Sequence, residues 1–132
     1  MKKFNELEYE KEKYRRYYFI LAYWLERKQN GESIASFFLS KNYRSVAIYG
    51  MKKLGELLYQ ELQSTDIVVK YVIDRDTDGI YVDVPVVKAG LKLEQVDAII
   101  ITAVTFFDEI KYELEKEIRC PIISLEEVIY GL

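Results

Sequence analysis

A glycine turn follows the first predicted strand of the sequence. The strand 44–49, apolar from residue 46 onwards, ends at Gly50, and Gly55 follows five residues later, where leucines at helical spacing begin. A glycine turn between a strand and a helix exposes backbone N–H groups at the positive end of the helix, which suits a phosphate group. We therefore predict a phosphate-binding turn formed by Gly50, Met51, Lys52, Lys53 and Gly55.

Lys52 occupies the position at which the dinucleotide-binding fingerprint G-x-G-x-x-G has its middle glycine. That glycine lets the main chain approach a pyrophosphate, so a lysine there should obstruct the approach and weaken dinucleotide binding. One interpretation is that the ammonium of Lys52 or Lys53 contacts the phosphate instead. The other is that both lysines are solvated and the turn has lost its ligand.

Two further polar residues follow predicted strands. Asp74 comes directly after strand 68–73, twenty-four residues beyond Gly50, where the fingerprint has an acid for ribose hydroxyls. Thr102 ends strand 97–102, with Ala103 and Val104 after it. Because the carboxyl ends of parallel strands meet at one edge, we expect these residues beside the glycine turn. Asp74 could equally be an ordinary aspartate that starts a turn, and the neighbouring Arg75 leaves the choice between NAD and NADP open.

Strands and helices alternate through most of the chain. Strands are predicted over 44–49, 68–73, 97–102 and 121–123, with a short edge strand or an extended crossover in 80–87 that contains a proline. Helices are predicted over 4–29, 32–41, 54–62 and 106–118, with a last helix capped by Ser124. This alternation predicts an α/β fold: a small Rossmann-like parallel sheet of about four strands in the order 2-1-3-4, with helices on both faces. Residues 1–42 would form an N-terminal helical extension, and residues 43–132 the nucleotide-binding domain.

The predicted N-terminal helix is unusually rich in aromatic residues. Side chains at alternating spacings of three and four define a stripe, called here the 3-4 stripe, which contains Phe4, Leu7, Lys11, Tyr14, Tyr18, Leu21, Leu25 and Lys28. Tyr17, Ile20 and Trp24 widen it, so the run 17–25 is expected to be buried. The helix could pack on its own sheet or pair with a second copy, because tyrosine is well suited to interfaces.

Composition excludes several classes of function. The chain has no histidine and one cysteine, which rules out Ser-His and Cys-His nucleophile arrangements, an intrachain disulfide and a typical zinc site. The net charge of −3 argues against a nucleic-acid partner. The N-terminus lacks an apolar signal core, and the longest apolar run is too short to span a bilayer, so we expect a cytoplasmic protein without a transmembrane segment.

No residue set in the sequence has convincing catalytic or metal-ligating spacing. The pair Tyr112 and Lys116 has the spacing of a dehydrogenase proton-transfer pair, but it lies too early in the chain and lacks an upstream catalytic serine. The aspartates 74, 76, 78 and 83 lack the ordered spacing of a calcium loop. We therefore predict no catalytic residue and no metal ligand.

Four segments carry a resemblance to a known group of proteins: Val46–Gly50 with Leu54-Gly55, Tyr71–Asp74, Val96–Thr102 and Cys120–Glu126. They resemble the nucleotide-binding domain of nucleoside-diphosphate-sugar epimerase/dehydratase-type proteins, over about the last ninety residues. Similar small domains accompany bacterial surface-polysaccharide enzymes, alone or fused to glycosyltransferases. The resemblance implies NAD(P) or a nucleoside-diphosphate sugar as the ligand, and it carries over Gly50, Gly55 and Asp74 as nucleotide-site positions.

The sequence thus predicts a nucleotide or nucleotide-sugar binding domain without its own catalytic machinery, acting in bacterial surface-polysaccharide synthesis beside a glycosyltransferase or similar partner. If the chain is an enzyme, the resemblance implies an NAD(P)-dependent epimerase or dehydratase. The alternative is a degenerate Rossmann domain that has lost its ligand and serves as a homodimeric interaction module through its aromatic helix.

Overall fold

A computed structural model of the protein describes residues 2–131, with side chains from residue 5 onwards. Five α-helices, α1 to α5, and five β-strands, β1 to β5, alternate along most of it. In chain order they are α1 (Lys2–Gln29), α2 (Ala35–Ser40), β1 (Ser45–Tyr49), α3 (Lys53–Gln63), β2 (Val68–Asp74), β3 (Val86–Lys88), β4 (Ala98–Ile101), α4 (Phe107–Leu114), β5 (Ile122–Ser124) and α5 (Leu125–Tyr130). Within this part of the chain, no helix combines the length and the apolar composition that crossing a membrane requires.

The strands form one parallel sheet in the order β3-β2-β1-β4-β5. The α/β class and the parallel sheet are as predicted, but the predicted four strands in the order 2-1-3-4 require correction. The added strand is β3, which follows Pro85 and pairs with the end of β2 over only three residues. Pro85 has no N–H to donate to a neighbouring strand. This suits the edge of a sheet, where one side of the strand needs no partner.

Apolar side chains of the central strands point alternately into two cores, one on each face of the sheet. In β1, Val46 and Ile48 face the core that contains α1, α2, α3 and α5. Ala47 and Tyr49 face the other core, which α4 covers. β4, with its run of isoleucines, is buried along its whole length, as expected of a strand that is covered on both faces.

Two helices are shorter than predicted. The helix predicted over 32–41 begins only at Ala35, because residues 30–32 first close the end of α1 through bonds such as Glu32 N–H to Arg27 O. The helix predicted over 106–118 ends at Leu114 and is preceded by a 3-10 turn over Val104–Phe106. Proline disfavours the α conformation in the residue before it, so the helix must end before the residue that precedes Pro121.

The buried face of α1 is not the one that the 3-4 stripe predicted. Ile20 and Trp24 are buried, whereas Tyr18 is 65% exposed and Leu25 is 58% exposed. The expectation that run 17–25 is buried as a whole was therefore wrong. Its apolar residues encircle the helix, and only those nearest α3 and α5 reach the core. Phe4, at the start of the stripe, lies outside the described side chains.

Candidate functional site

The glycine turn between β1 and α3 requires glycine at both of its ends. Gly50 has φ +97°, and a Cβ added there would lie 2.7 Å from Thr102 Oγ1. Gly55 lies so close to the turn that an added Cβ would stand 1.9 Å from Gly50 O. A side chain at Gly50 would collide with the residues after β4, and a side chain at Gly55 would push α3 away from the turn. The two glycines therefore allow the turn to pack closely against β4 and α3.

Asp74 and Thr102, the two polar residues predicted at the sheet edge, both hold the turn in place. Asp74 Oδ2 accepts a hydrogen bond from Met51 N–H at 2.7 Å, and its Oδ1 accepts one from Asp76 N–H at 3.2 Å. The Thr102 hydroxyl lies 2.6 Å from Gly50 O, to which it donates. The turn is thus held in place by side chains of the protein itself. Each carboxylate oxygen of Asp74 keeps a further lone pair that faces no described donor.

The beginning of α3 offers backbone donors. Within the described chain, the first bond of this helix runs from Glu56 N–H to Lys52 O, and the N–H groups of residues 52–55 have no acceptor. Such unpaired donors carry the positive end of the helix dipole. Lys52 has φ −80°, a backbone conformation that does not require glycine. Its own side chain is exposed, as is that of Lys53, which lies 3.4 Å from Glu56.

A cavity of about 550 Å³ opens at the carboxyl ends of β1, β2 and β4. The strand order reverses there, since β1 lies between β2 and the later strand β4. This is the position at which open parallel sheets bind ligands. The volume falls within the roughly 300–1,000 Å³ that is usual for small-molecule sites. The wall on the sheet side includes Tyr49, Gly50, Lys52, Lys53, Asp74, Arg75, Asp76, Thr102 and Ala103.

The other wall of the cavity comes from α1, which sequence reasoning had assigned to a separate extension. Lys13, Tyr14, Tyr17 and Leu21 line it, and Phe106 completes an aromatic rim. The Lys13 ammonium lies 5.4 Å from the Tyr14 ring centre and 5.8 Å from the Tyr17 ring centre. Burial raises the pKa of the Tyr17 hydroxyl, while the charge of Lys13 opposes this. The i,i+4 pair Lys13 and Tyr17 was visible in the sequence, but its spacing does not say which element the pair faces.

Not every predicted site residue lines the cavity. Gly50, Lys52, Lys53, Asp74 and Thr102 do so. The side chain of Met51 packs into the core beside α3, and its N–H is already bonded to Asp74. Gly55 lies behind the turn, where its missing side chain makes room for Gly50 O. Val104, also expected at this edge, is buried in the same core as Met51.

The residue pairs set aside in the sequence lie elsewhere. Tyr112 and Lys116 are stacked on the exposed face of the α4 region, with the ammonium 4.5 Å from the ring centre, and neither lines the cavity. Within residues 2–131, no three histidine, cysteine or acidic side chains are close enough together to hold a metal ion. Cys120 packs partly buried against the second core, and burial raises the pKa of its thiol.

Comparisons with protein families, with curated proteins and with solved structures return no match to the chain.

Proposed function

We propose that the protein binds a nucleotide or nucleotide sugar in the cavity at the carboxyl edge of its sheet. The observation that carries the proposal is the coincidence, at one reversal of strand order, of a preformed glycine turn, free helix-start donors and a cavity of suitable volume. A nucleotide needs anion recognition at one end and an apolar surface for its ring at the other. The two walls supply these separately.

The phosphate end of the ligand would face the beginning of α3. N–H groups at a helix start bind phosphate oxygens without a protonation step, and the dipole favours their negative charge. Lys52, Lys53 and Arg75 add three cationic side chains around this wall. Since Lys52 lacks an ion-pair partner among residues 2–131, a phosphate would relieve its unfavourable position at the positive helix end.

The ring end of the ligand would face α1. The aromatic side chains of Tyr14, Tyr17 and Phe106 form an apolar rim of the kind on which bases stack. Asp74 lies between the two ends, and its spare lone pairs could accept from ribose hydroxyls while it continues to hold Met51 N–H. This double use would make Asp74 both a structural and a ligand-contacting residue.

The sequence resemblance favours NAD(P) or a nucleoside-diphosphate sugar as the ligand and surface-polysaccharide synthesis as the setting. The sequence offers no residue set with catalytic spacing. The proposed role is binding, with catalysis left to a partner such as a glycosyltransferase.

Isothermal titration calorimetry tests the binding. The ligands are NAD⁺, NADP⁺, ADP and UDP-linked sugars, and the variant is Lys52→Ala combined with Lys53→Ala. We expect one ligand class to bind the native chain, and the double variant to weaken it at least about tenfold, because charge-assisted bonds to phosphate are lost. Lys41→Ala is the matched control, since Lys41 is an exposed lysine before the amino end of β1. The absence of a binding signal with millimolar ligand would refute the proposal.

A second variant separates the two interpretations of Lys52. Replacement by glycine opens the main chain to a pyrophosphate but removes the ammonium. Tighter binding by Lys52→Gly would show that the side chain obstructs the phosphate. Weaker binding would show that the ammonium contacts it.

A further inference from the structure

In the described part of the chain, the largest group of exposed apolar side chains lies on α1. The described apolar members of the 3-4 stripe face solvent, with exposed fractions of 60% for Leu7, 59% for Tyr14, 65% for Tyr18, 39% for Leu21 and 58% for Leu25. The helix is anchored to its own domain by a different face, through Ile20 and Trp24. The stripe is thus available to a partner while the fold keeps its core.

The spacing of the stripe indicates the shape of that partner. Steps of three and four residues average 3.5, which is the repeat of a helix that packs along another helix in a coiled coil. A helix that packs on a sheet needs no such repeat. From Leu7 to Leu25 the stripe extends for about 27 Å at 1.5 Å per residue. A second helix of similar length would cover it.

We propose that a second copy of this chain occupies the stripe, with the two α1 helices packed antiparallel as a homodimer. The charges of α1 differ between its two halves. Residues 2–14 carry four acids and four bases, whereas residues 15–29 carry four bases and one acid. A parallel pair would place the two basic halves side by side, and antiparallel packing keeps them apart, which orients association.

Lys11 favours the same orientation. It is exposed and is the one charged member of the stripe between Leu7 and Leu25. In a parallel pair, each Lys11 would face Lys11 of the second copy. In the antiparallel pair that aligns Leu7 with Leu25 of the second copy, Lys11 lies opposite Leu21 instead. A single lysine at such a seam position selects the arrangement that keeps like charges apart.

The available area reaches the lower limit for a specific interface, about 1,000 Å² over the two copies. The five exposed apolar side chains present on the order of 500 Å² per copy, against about 800 Å² per partner in a standard-sized interface. Lys11 and the neighbouring Phe19, which is 41% exposed, can supply part of the remainder. Tyr14 and Leu21 of the stripe also line the cavity, whereas Leu7, Tyr18 and Leu25 do not, so variants at these three test the dimer without touching the proposed nucleotide site.

Sedimentation equilibrium at micromolar concentrations tests the dimer. The native chain should have twice its monomer mass of 15.6 kDa. Tyr18→Glu should weaken association at least about tenfold, because it places an unpaired carboxylate in the seam. Tyr112→Glu is the matched control, since Tyr112 on α4 is 64% exposed and should tolerate the same change without effect on mass. Leu25→Glu provides a second seam variant, and circular dichroism confirms that each variant is folded.

A native chain that stays monomeric at high micromolar concentration overturns the proposal, as does a Tyr18→Glu variant that dimerises like the native chain. Disulfide trapping in a Cys120→Ala background tests orientation. Leu7→Cys together with Leu25→Cys should yield a covalent dimer on a non-reducing gel, and Leu7→Cys alone should not. Trapping by Leu7→Cys alone would overturn the antiparallel arrangement.

Discussion

At the scale of single residues, the positions selected for ligand chemistry turn out to hold the backbone as well. Thr102 donates to Gly50 O, Asp74 accepts from Met51 N–H, and Gly55 leaves room for Gly50 O. Sequence spacing selected these residues because a glycine turn that binds a ligand and one that only joins a strand to a helix have the same geometry. Spacing could not separate the two roles, because the same residue type can form a hydrogen bond either with the main chain or with a ligand.

Gly55→Ala provides a test of the close helix–turn contact. At an unconstrained helix position, alanine in place of glycine raises the free energy of unfolding by about 1 kcal/mol. Here the added Cβ meets a backbone oxygen at 1.9 Å, so we expect destabilisation of about 3 kcal/mol. Urea denaturation measures it. Gly79→Ala is the control: the space there is open, and only the cost of φ +75°, about 1 kcal/mol, should appear. A stabilised Gly55→Ala variant would contradict the packing described.

Asp97 makes the stability of the fold depend on pH. It lies at the amino ends of the strands, at the other end of the sheet from the cavity. Its carboxylate accepts hydrogen bonds from Ser45 N–H at 3.0 Å and Arg44 N–H at 2.8 Å, which lower the pKa of Asp97 below its usual 3.8. Because the pKa of Asp97 is lower in the folded protein than in the unfolded chain, the stabilisation by its carboxylate is complete above pH 3.8. It is lost as the pH falls through the pKa of the folded state. Asp97→Asn should therefore be less stable than the native chain at neutral pH.

The difference in unfolding free energy between native protein and Asp97→Asn should shrink as the pH falls below about 3.8. Thermal unfolding at a series of pH values measures this. A difference that stays constant down to pH 2 would show that the carboxylate charge is not what stabilises the junction of β1 and β4.

At the scale of elements, Glu61 on α3 joins the two N-terminal helices to the sheet domain. Its side chain is 9% exposed and accepts hydrogen bonds from Trp24 Nε1 at 2.9 Å and Ile34 N–H at 3.3 Å, and Lys28 Nζ lies 3.0 Å from it. The sequence had placed position 61 only within the predicted helix 54–62. An acid at an inward-facing position was the signal that a buried polar partner had to exist.

Glu61→Ala should lower the free energy of unfolding by about 3 kcal/mol, because it leaves two N–H donors without their acceptor. Glu56→Ala is the matched control on the same helix, since Glu56 is exposed and pairs only with exposed Lys53. Its cost should stay below about 0.5 kcal/mol. Chemical denaturation of both variants checks the difference, and equal costs would mean that Glu61 does not bridge the helices.

The sequence predicted strands better than helix faces. Runs such as 97–102 are apolar on both sides, so burial on both faces of the sheet follows without knowledge of neighbours. α1 has apolar residues around most of its circumference, and its orientation is decided by contacts with α3 and α5 that lie far away in the chain. For the same reason, no spacing rule could place Lys13, Tyr14 and Tyr17 in the cavity wall.

At the scale of the whole molecule, the two proposed surfaces meet on α1. Tyr14 and Leu21 belong both to the cavity wall and to the 3-4 stripe, so a second copy would lie beside the mouth of the cavity. The sheet and the turn after β1 form one wall of the cavity, and α1 forms the rim on the other wall.

The most direct test of the central claim is a two-dimensional ¹H–¹⁵N NMR titration with the nucleotide or nucleotide sugar that gives the strongest calorimetric signal. The account predicts that the amide signals of Gly50, Lys52, Lys53 and Gly55 shift first and most, and that Asp74 and Tyr17 follow. Signals at the opposite sheet edge, such as those of Arg44 and Asp97, should stay in place. Unchanged signals around the glycine turn at saturating ligand, or shifts confined to another surface, would contradict it.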